Sequence, residues 1–210
     1  VAPILADYPA GTPVPATAAY VTDVPMKRGI RIPAQIGYGV LASDLGREWD
    51  ESGRVAANIL SLSYLWNVIR VQGGAYGCGL RLGPNAAAAY SYRDPTPARS
   101  LTMYRGAADF LREFVASGER IDKFVISTIS ETEPLMSPRD EGGLADSRWF
   151  AGRTEDDLRQ QRAQILATDG ETLLGWCAAL EHMAKTGAVA VVAHEEALKA
   201  CEAEGIVIEQ

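Results

Sequence analysis

The stretch Leu62–Pro95, LSYLWNVIRVQGGAYGCGLRLGPNAAAAYSYRDP, limits what this chain can fold into more than any other part of it. Val55, Ile59, Leu62, Trp66 and Ile69 recur at spacings of 4, 3, 4 and 3, which predicts a helix over Ser52–Ile69 with these residues on its apolar face. Gly73 and Gly74 lie just past its end, where glycine relieves the left-handed backbone of a helix terminus. Tyr76–Leu82 and Ala86–Tyr92 then read as a hairpin turning at Gly83-Pro84-Asn85. Arg70 and Tyr76, six residues apart, flank the glycine bend, where the backbone can come close to another chain.

The rest of the chain extends this helix-and-hairpin unit. Residues 1–16 are rich in Pro and Ala and read as an extended leader or linker, leaving 17–210 as a single domain. A short strand is expected at 17–24, and one strand over Arg31–Leu41 with Ile32, Ile36, Tyr38 and Val40 on one parity. A second helix spans Pro97–Ala116 and a third Glu119–Ser130. Residues 134–152, punctuated by Pro and Gly, read as a long loop with at most a turn of helix. Thr154 with Asp157 forms a capping box opening a helix to Ala167. Asp169 caps another, with Leu173, Cys177, Leu180 and Ala184 as its stripe. Ala188–Ala193 is a buried strand, His194–Ala203 a short helix and Ile206–Glu209 a last strand. Hairpins mixed with helix pairs predict an α+β fold, an antiparallel-rich mixed sheet with helices on one face.

Composition narrows the function classes. A net charge of −7 argues against a nucleic-acid binder, which would show a basic face. No apolar run approaches bilayer-spanning length, and no secretory signal is visible. Cys78, Cys177 and Cys201 lie far apart and read as small buried hydrophobes in a reducing compartment, so the cytoplasm is expected. A removed targeting peptide would leave no trace, and a start at Val1 suggests an excised or processed piece.

The candidate chemistry is sparse. His182 and His194 are the only imidazoles, and neither belongs to a two-histidine zinc helix. No G-x-S-x-G is present, and the glycines follow a helix and precede a strand, the reverse of a phosphate loop. Arg70 and Tyr76 remain. On one account Arg70 merely complements the negative end of the helix dipole and Tyr76 is an ordinary strand aromatic. On the other, both donate hydrogen bonds to a carbonyl or oxyanion beside Gly73 and Gly74. Arg93 and Asp94 are either a local ion pair that steadies the strand end or an exposed charge pair.

The string YLWNVIRVQGGAYG, followed by SYRDP and MYRGAADFLREF, resembles the pitrilysin/insulinase zinc metallopeptidases, in particular the last of four domains of the presequence-protease subfamily. The likeness is sharp over Leu62–Phe114 and weaker through IDKFVISTI, TEDDLRQQRAQILAT and AVAVVA. The resemblance implies a clamshell endopeptidase for unfolded oligopeptides, with Zn²⁺ held by an H-x-x-E-H motif in the N-terminal half of the parent polypeptide. This chain lacks that motif, so the isolated chain is expected to be inactive and metal-free. The resemblance implies that Arg70 and Tyr76 reach the substrate near the scissile bond, with Arg93 and Asp94 in support. Unfolded peptide and the zinc-bearing half are then the partners, with no nucleic acid and no membrane. The rival reading is a non-catalytic peptide-binding module, or a subunit pairing with a separate zinc-bearing chain; an unrelated small-molecule binder is a third.

Overall fold

The computed structural model describes residues 26–209; the expected leader and the strand at 17–24 lie outside the described residues. Strand β1 (Lys27–Arg31) is followed by β2 (Gly37–Ser43). Helix α1 (Ser52–Ile59) continues without interruption into a wider, π-helical segment (Leu60–Val71). The hairpin β3 (Gly77–Gly83) and β4 (Ala86–Asp94) comes next. Helices α2 (Pro97–Arg105), α3 (Ala107–Ala116), α4 (Asp122–Thr132), α5 (Pro138–Phe150), α6 (Glu155–Leu166), α7 (Gly170–Leu174) and α8 (Cys177–Thr186) lead to β5 (Ala188–Ala193). Helix α9 (Glu195–Ala200) and a 3₁₀ turn (Glu202–Glu204) precede β6 (Val207–Glu209).

The strands form one sheet in the order β3-β4-β2-β5-β1-β6. The pairs β3/β4, β4/β2 and β2/β5 are antiparallel, while β5/β1 and β1/β6 are parallel, so the fold is the expected antiparallel-rich mixed sheet. One face is covered by helices: Leu41, Ala87, Ala89, Val189 and Val191 pack beneath Val55, Ile59, Leu101, Tyr104, Leu180 and Met183. Trp176 is fully buried, and its indole N–H donates to Ser52 Oγ at 2.8 Å, which satisfies the one polar atom the ring brings inside. The other face carries Tyr38, Tyr90 and Tyr92 and stays open to solvent along its β3–β2 side.

The hairpin, its turn and both caps stand as the sequence predicts. Thr154 and Asp157 exchange both capping-box bonds, and Asp169 does the same with Thr172. Four expectations are corrected. Arg31–Leu41 is two strands, because Pro33 has no N–H for the ladder and the chain turns away there; Gly37, Gly39 and Leu41 face inward rather than the other parity. The helices expected over Pro97–Ala116 and after Asp169 are each broken, at Gly106 and around Gly175-Trp176. Residues 138–150 form a full helix, opened by Ser137 accepting from Asp140 N–H with Pro138 in the first turn. Its two interior glycines and lack of any buried residue hid it from pattern reading. Leu62 and Trp66, expected in the core, are exposed. Past Ile59 the helix widens, and the buried positions become Leu60, Leu65 and Ile69, at spacings of 5 and 4 rather than 3 and 4.

Candidate functional site

The widened helix ends in a cap of matching width. Gln72 N–H donates to Asn67 O five residues back at 3.0 Å. Gly74 N–H then bonds Arg70 O at 3.0 Å, and Ala75 N–H bonds Ile69 O at 3.2 Å. These bonds nest as in a Schellman cap, but each spans one residue more. Gly74 has φ +78°, the left-handed conformation that only glycine adopts without strain. Gly73 is needed for a different reason: a Cβ there would collide with the Ile69 carbonyl and the Arg99 guanidinium. Arg99 in turn donates to Val68 O, tying α2 to the end of the helix.

This cap aims Arg70. Its Nε donates to the Tyr76 carbonyl at 3.0 Å, across the bend. Its guanidinium lies 3.9 Å from the centre of the Trp66 ring, one helical turn earlier. Held from both sides, Arg70 keeps its Nη fork without a hydrogen-bond or ion-pair partner among the described residues. Tyr76 is 59% exposed, and its ring meets Tyr92 edge-on at 5.6 Å. Tyr92 in turn lies over Gly77, where any side chain would fall inside the ring. Arg70, Gly73, Gly74 and Tyr76 are thus brought together in one small area of surface.

Arg93 joins them, but Asp94 does not. Arg93 has φ +48°, the only positive φ outside glycine among the described residues. Its guanidinium sits 5.2 Å from the Tyr76 ring centre, and its carbonyl accepts from Tyr76 N–H at 3.3 Å. Asp94 turns inward, 1% exposed, and accepts from Ser91 Oγ at 2.6 Å, Ser100 Oγ at 2.5 Å and Thr96 N–H at 2.8 Å. The local Arg93–Asp94 ion pair therefore does not form. The carboxylate is satisfied by three donors inside the domain, and the guanidinium is left outside. Sequence reasoning passed over Trp66 and Tyr92 as site residues. The four-residue step from Trp66 to Arg70 was the one available signal, since such residues share a helix face.

The edge of the sheet beside the site is capped in part by side chains of the widened helix. Ser61 Oγ accepts from Leu80 N–H at 2.9 Å, and Arg70 occupies the Tyr76 carbonyl, so the widened helix supplies side-chain partners to the outer edge of β3. Burial pushes the Cys78 thiol on this strand above its ordinary pKa, which keeps it protonated and poorly nucleophilic.

The donor set does not fit a catalytic zinc. His182 Nε2 lies 2.6 Å from Asp44 Oδ1, while His194 stands at the start of α9. No three His, Cys, Asp or Glu side chains converge among the described residues. No helix among the described residues is long and apolar enough to cross a membrane.

The profile of the PreP C-terminal domain family matches residues 29–195. Presequence protease 1, chloroplastic/mitochondrial, of Arabidopsis thaliana is 31% identical over 180 residues, 83% of this chain and 17% of that protein. Protein HypA of Clostridium perfringens is 31% identical over 143 residues, 68% of this chain and 15% of that protein. The chain thus spans about a sixth of the length of these relatives. Among solved structures, pitrilysin superposes with a TM-score of 0.54 at 14% identity, covering 79% of this chain and 19% of that one. A peptidase M16 inactive domain from Pseudomonas fluorescens gives 0.54 at 15% identity, covering 80% of this chain and 44% of that one. These two likenesses concern the fold.

Proposed function

We propose that this chain, which belongs to the PreP C-terminal domain family, is the substrate-binding, non-metal part of a zinc-dependent endopeptidase that hydrolyses unfolded oligopeptides. The observation that carries the reading is Arg70, fixed by the Trp66 ring on one side and the Tyr76 carbonyl on the other, with its Nη fork unpaired among the described residues and Tyr76 itself exposed. Two donors held in place before substrate arrives need little reorganisation when a peptide carbonyl gains negative charge, and that is where such donors lower a barrier. A guanidinium and a phenolic hydroxyl both carry the N–H or O–H donors that this role needs.

The zinc belongs, on this reading, to the N-terminal half of the parent polypeptide. The metal would activate the attacking water, while Arg70 and Tyr76 orient the peptide and stabilise its carbonyl oxygen. Three free thiols among the described residues argue for a reducing compartment. The cytoplasm meets that condition, although the Arabidopsis relative is named as a chloroplastic and mitochondrial protein.

The test is made in the full-length parent. Arg70→Ala should lower peptide turnover by about a hundredfold or more, the cost of removing one donor from a developing oxyanion. Tyr76→Phe should lower it less, and neither should move the melting temperature appreciably, because both side chains project from the surface. A large fall in melting temperature with normal turnover would return both residues to a purely structural role. The 210-residue chain incubated with Zn²⁺ should cleave nothing; chelator-sensitive cleavage by it would overturn the division of labour.

A further inference from the structure

Eleven of the 20 Lys and Arg side chains pair with a carboxylate among the described residues. Arg28 pairs with Glu209, Arg105 with Glu204, Arg112 with Glu181 and Arg162 with Glu133. With 27 acidic residues against 20 basic ones, carboxylates are plentiful. Yet on the open side of the β3–β4 hairpin, Arg81 and Arg93 make no ion pair and no side-chain hydrogen bond among the described residues. Each lies instead against a tyrosine: Arg81 is 5.5 Å from the Tyr90 ring centre and Arg93 5.2 Å from that of Tyr76. Three tyrosines lie between them. Tyr76 touches Tyr92, and Tyr92 and Tyr90 alternate along β4 on the same face, lying over Gly77 and Gly79.

The Arg93 backbone adds an independent observation. A non-glycine residue at φ +48° is strained, and such strain persists where the surroundings over-determine it. Here the buried Asp94 network holds the next residue, and the result is a guanidinium turned outward onto Tyr76. Nothing in the fold requires a cation there, since glycine would fit the same backbone without strain.

We propose that this row, from Arg93 through Tyr76, Tyr92 and Tyr90 to Arg81, docks an extended peptide segment that carries carboxylate side chains. The inference rests on the peptide-chamber reading above and specifies the substrate class. Guanidinium groups match carboxylates in geometry as well as charge, and tyrosines offer rigid contact area to whatever lies between. Tyr76 and Arg81 are five residues apart along an extended strand, roughly 17 Å, so the two cations address acidic residues about five positions apart in the bound peptide.

The experiment is a fluorescence-anisotropy titration of the full 210-residue chain with labelled, C-terminally amidated peptides of about twelve residues. The peptides differ only at two positions five apart, which carry Glu, Gln or Lys. The Glu peptide should bind about tenfold tighter than the Gln peptide, and the Lys peptide weakest. Arg93→Gly, which relieves the strain and so keeps the fold, should abolish most of the Glu preference. Arg81→Glu should shift the order toward Lys. Equal binding of the Glu and Gln peptides would overturn charge selection while leaving peptide binding by the domain intact. Failure of all three peptides to bind would overturn both. An unchanged preference in Arg93→Gly and Arg81→Glu would place the selectivity elsewhere and sink the proposal.

Discussion

In Ser52–Ile59, seven of eight residues are buried; in Leu60–Val71, which continues the same helix, only Leu60, Leu65 and Ile69 are. The first part is core. Val55, Ala56 and Ile59 have no exposure, and the segment packs against α4, α6 and α7 as well as the hairpin. The second part borders the sheet edge and keeps Leu62, Trp66 and Val71 outside. The difference comes from the width of the helix. Widening changes the angle between successive side chains, so the inward stripe follows a longer period and the residues that a regular α-helix would bury are released to the surface. Trp66 is one of them, and it carries Arg70. A single rod thus anchors the domain at one end and presents the candidate site at the other, which is a recurrent setting for π-helical turns.

The sharpest way to break this comparison is to truncate matched residues in the two parts. Ile59→Ala removes a fully buried side chain and should destabilise the domain by about 3 kcal/mol, measured by urea denaturation. Leu62→Ala, on the stripe that a regular helix would bury, should change stability by no more than about 0.5 kcal/mol. Equal losses for the two would mean that the α-helical register runs through to Val71. The widened helix would then not be what frees the site.

Next in size is Asp94. Its carboxylate satisfies two hydroxyls and one backbone N–H in a buried position, so Asp94→Ala leaves three donors without their partner. The expected loss is about 2 kcal/mol. Because the same network fixes the backbone next to Arg93, the acidic-peptide preference should fall with it. Asp94→Asn keeps the shape and should lose less of both. If Asp94→Ala cost stability but left the preference whole, Arg93 would be held by something other than its neighbour.

How far these features were legible in the sequence follows from how local their causes are. The hairpin turn at Gly83-Pro84-Asn85 and the caps at Thr154 and Asp169 are decided within a few residues and are readable directly. The widening after Ile59 is not, because Leu62 and Trp66 satisfy a helical template equally well whichever way they face. Only the packing of Leu60, Leu65 and Ile69 against the rest of the domain decides between the two registers. Strand order is non-local for the same reason: nothing near β1 announces that β5 and β6 will flank it. Within the site, the glycine bend and the proximity of Arg70 to Tyr76 are legible. The resemblance to the family motif, not the spacing, makes these two the candidates. Trp66, Tyr92 and the inward turn of Asp94 depend on the third dimension.

A small stability change is also expected at Trp66, and it tests the comparison from the functional side. Trp66→Leu keeps an apolar side chain of good helix propensity at a position already 41% exposed, so stability should move by at most about 1 kcal/mol. What it removes is the aromatic face beneath Arg70. The guanidinium then keeps only its bond from Nε to the Tyr76 carbonyl and can swing about it. In the full-length parent, turnover should fall, but by less than in Arg70→Ala, since the donor survives and only its aim is lost. The fall should appear in kcat more than in KM, because a misdirected donor costs most where the carbonyl oxygen carries charge. Trp66→Phe, which restores a smaller aromatic face, should recover part of it. A Trp66→Leu enzyme with unchanged kcat would show that Arg70 is positioned by the Tyr76 carbonyl alone, and that the residues released by the widened helix are surface without function.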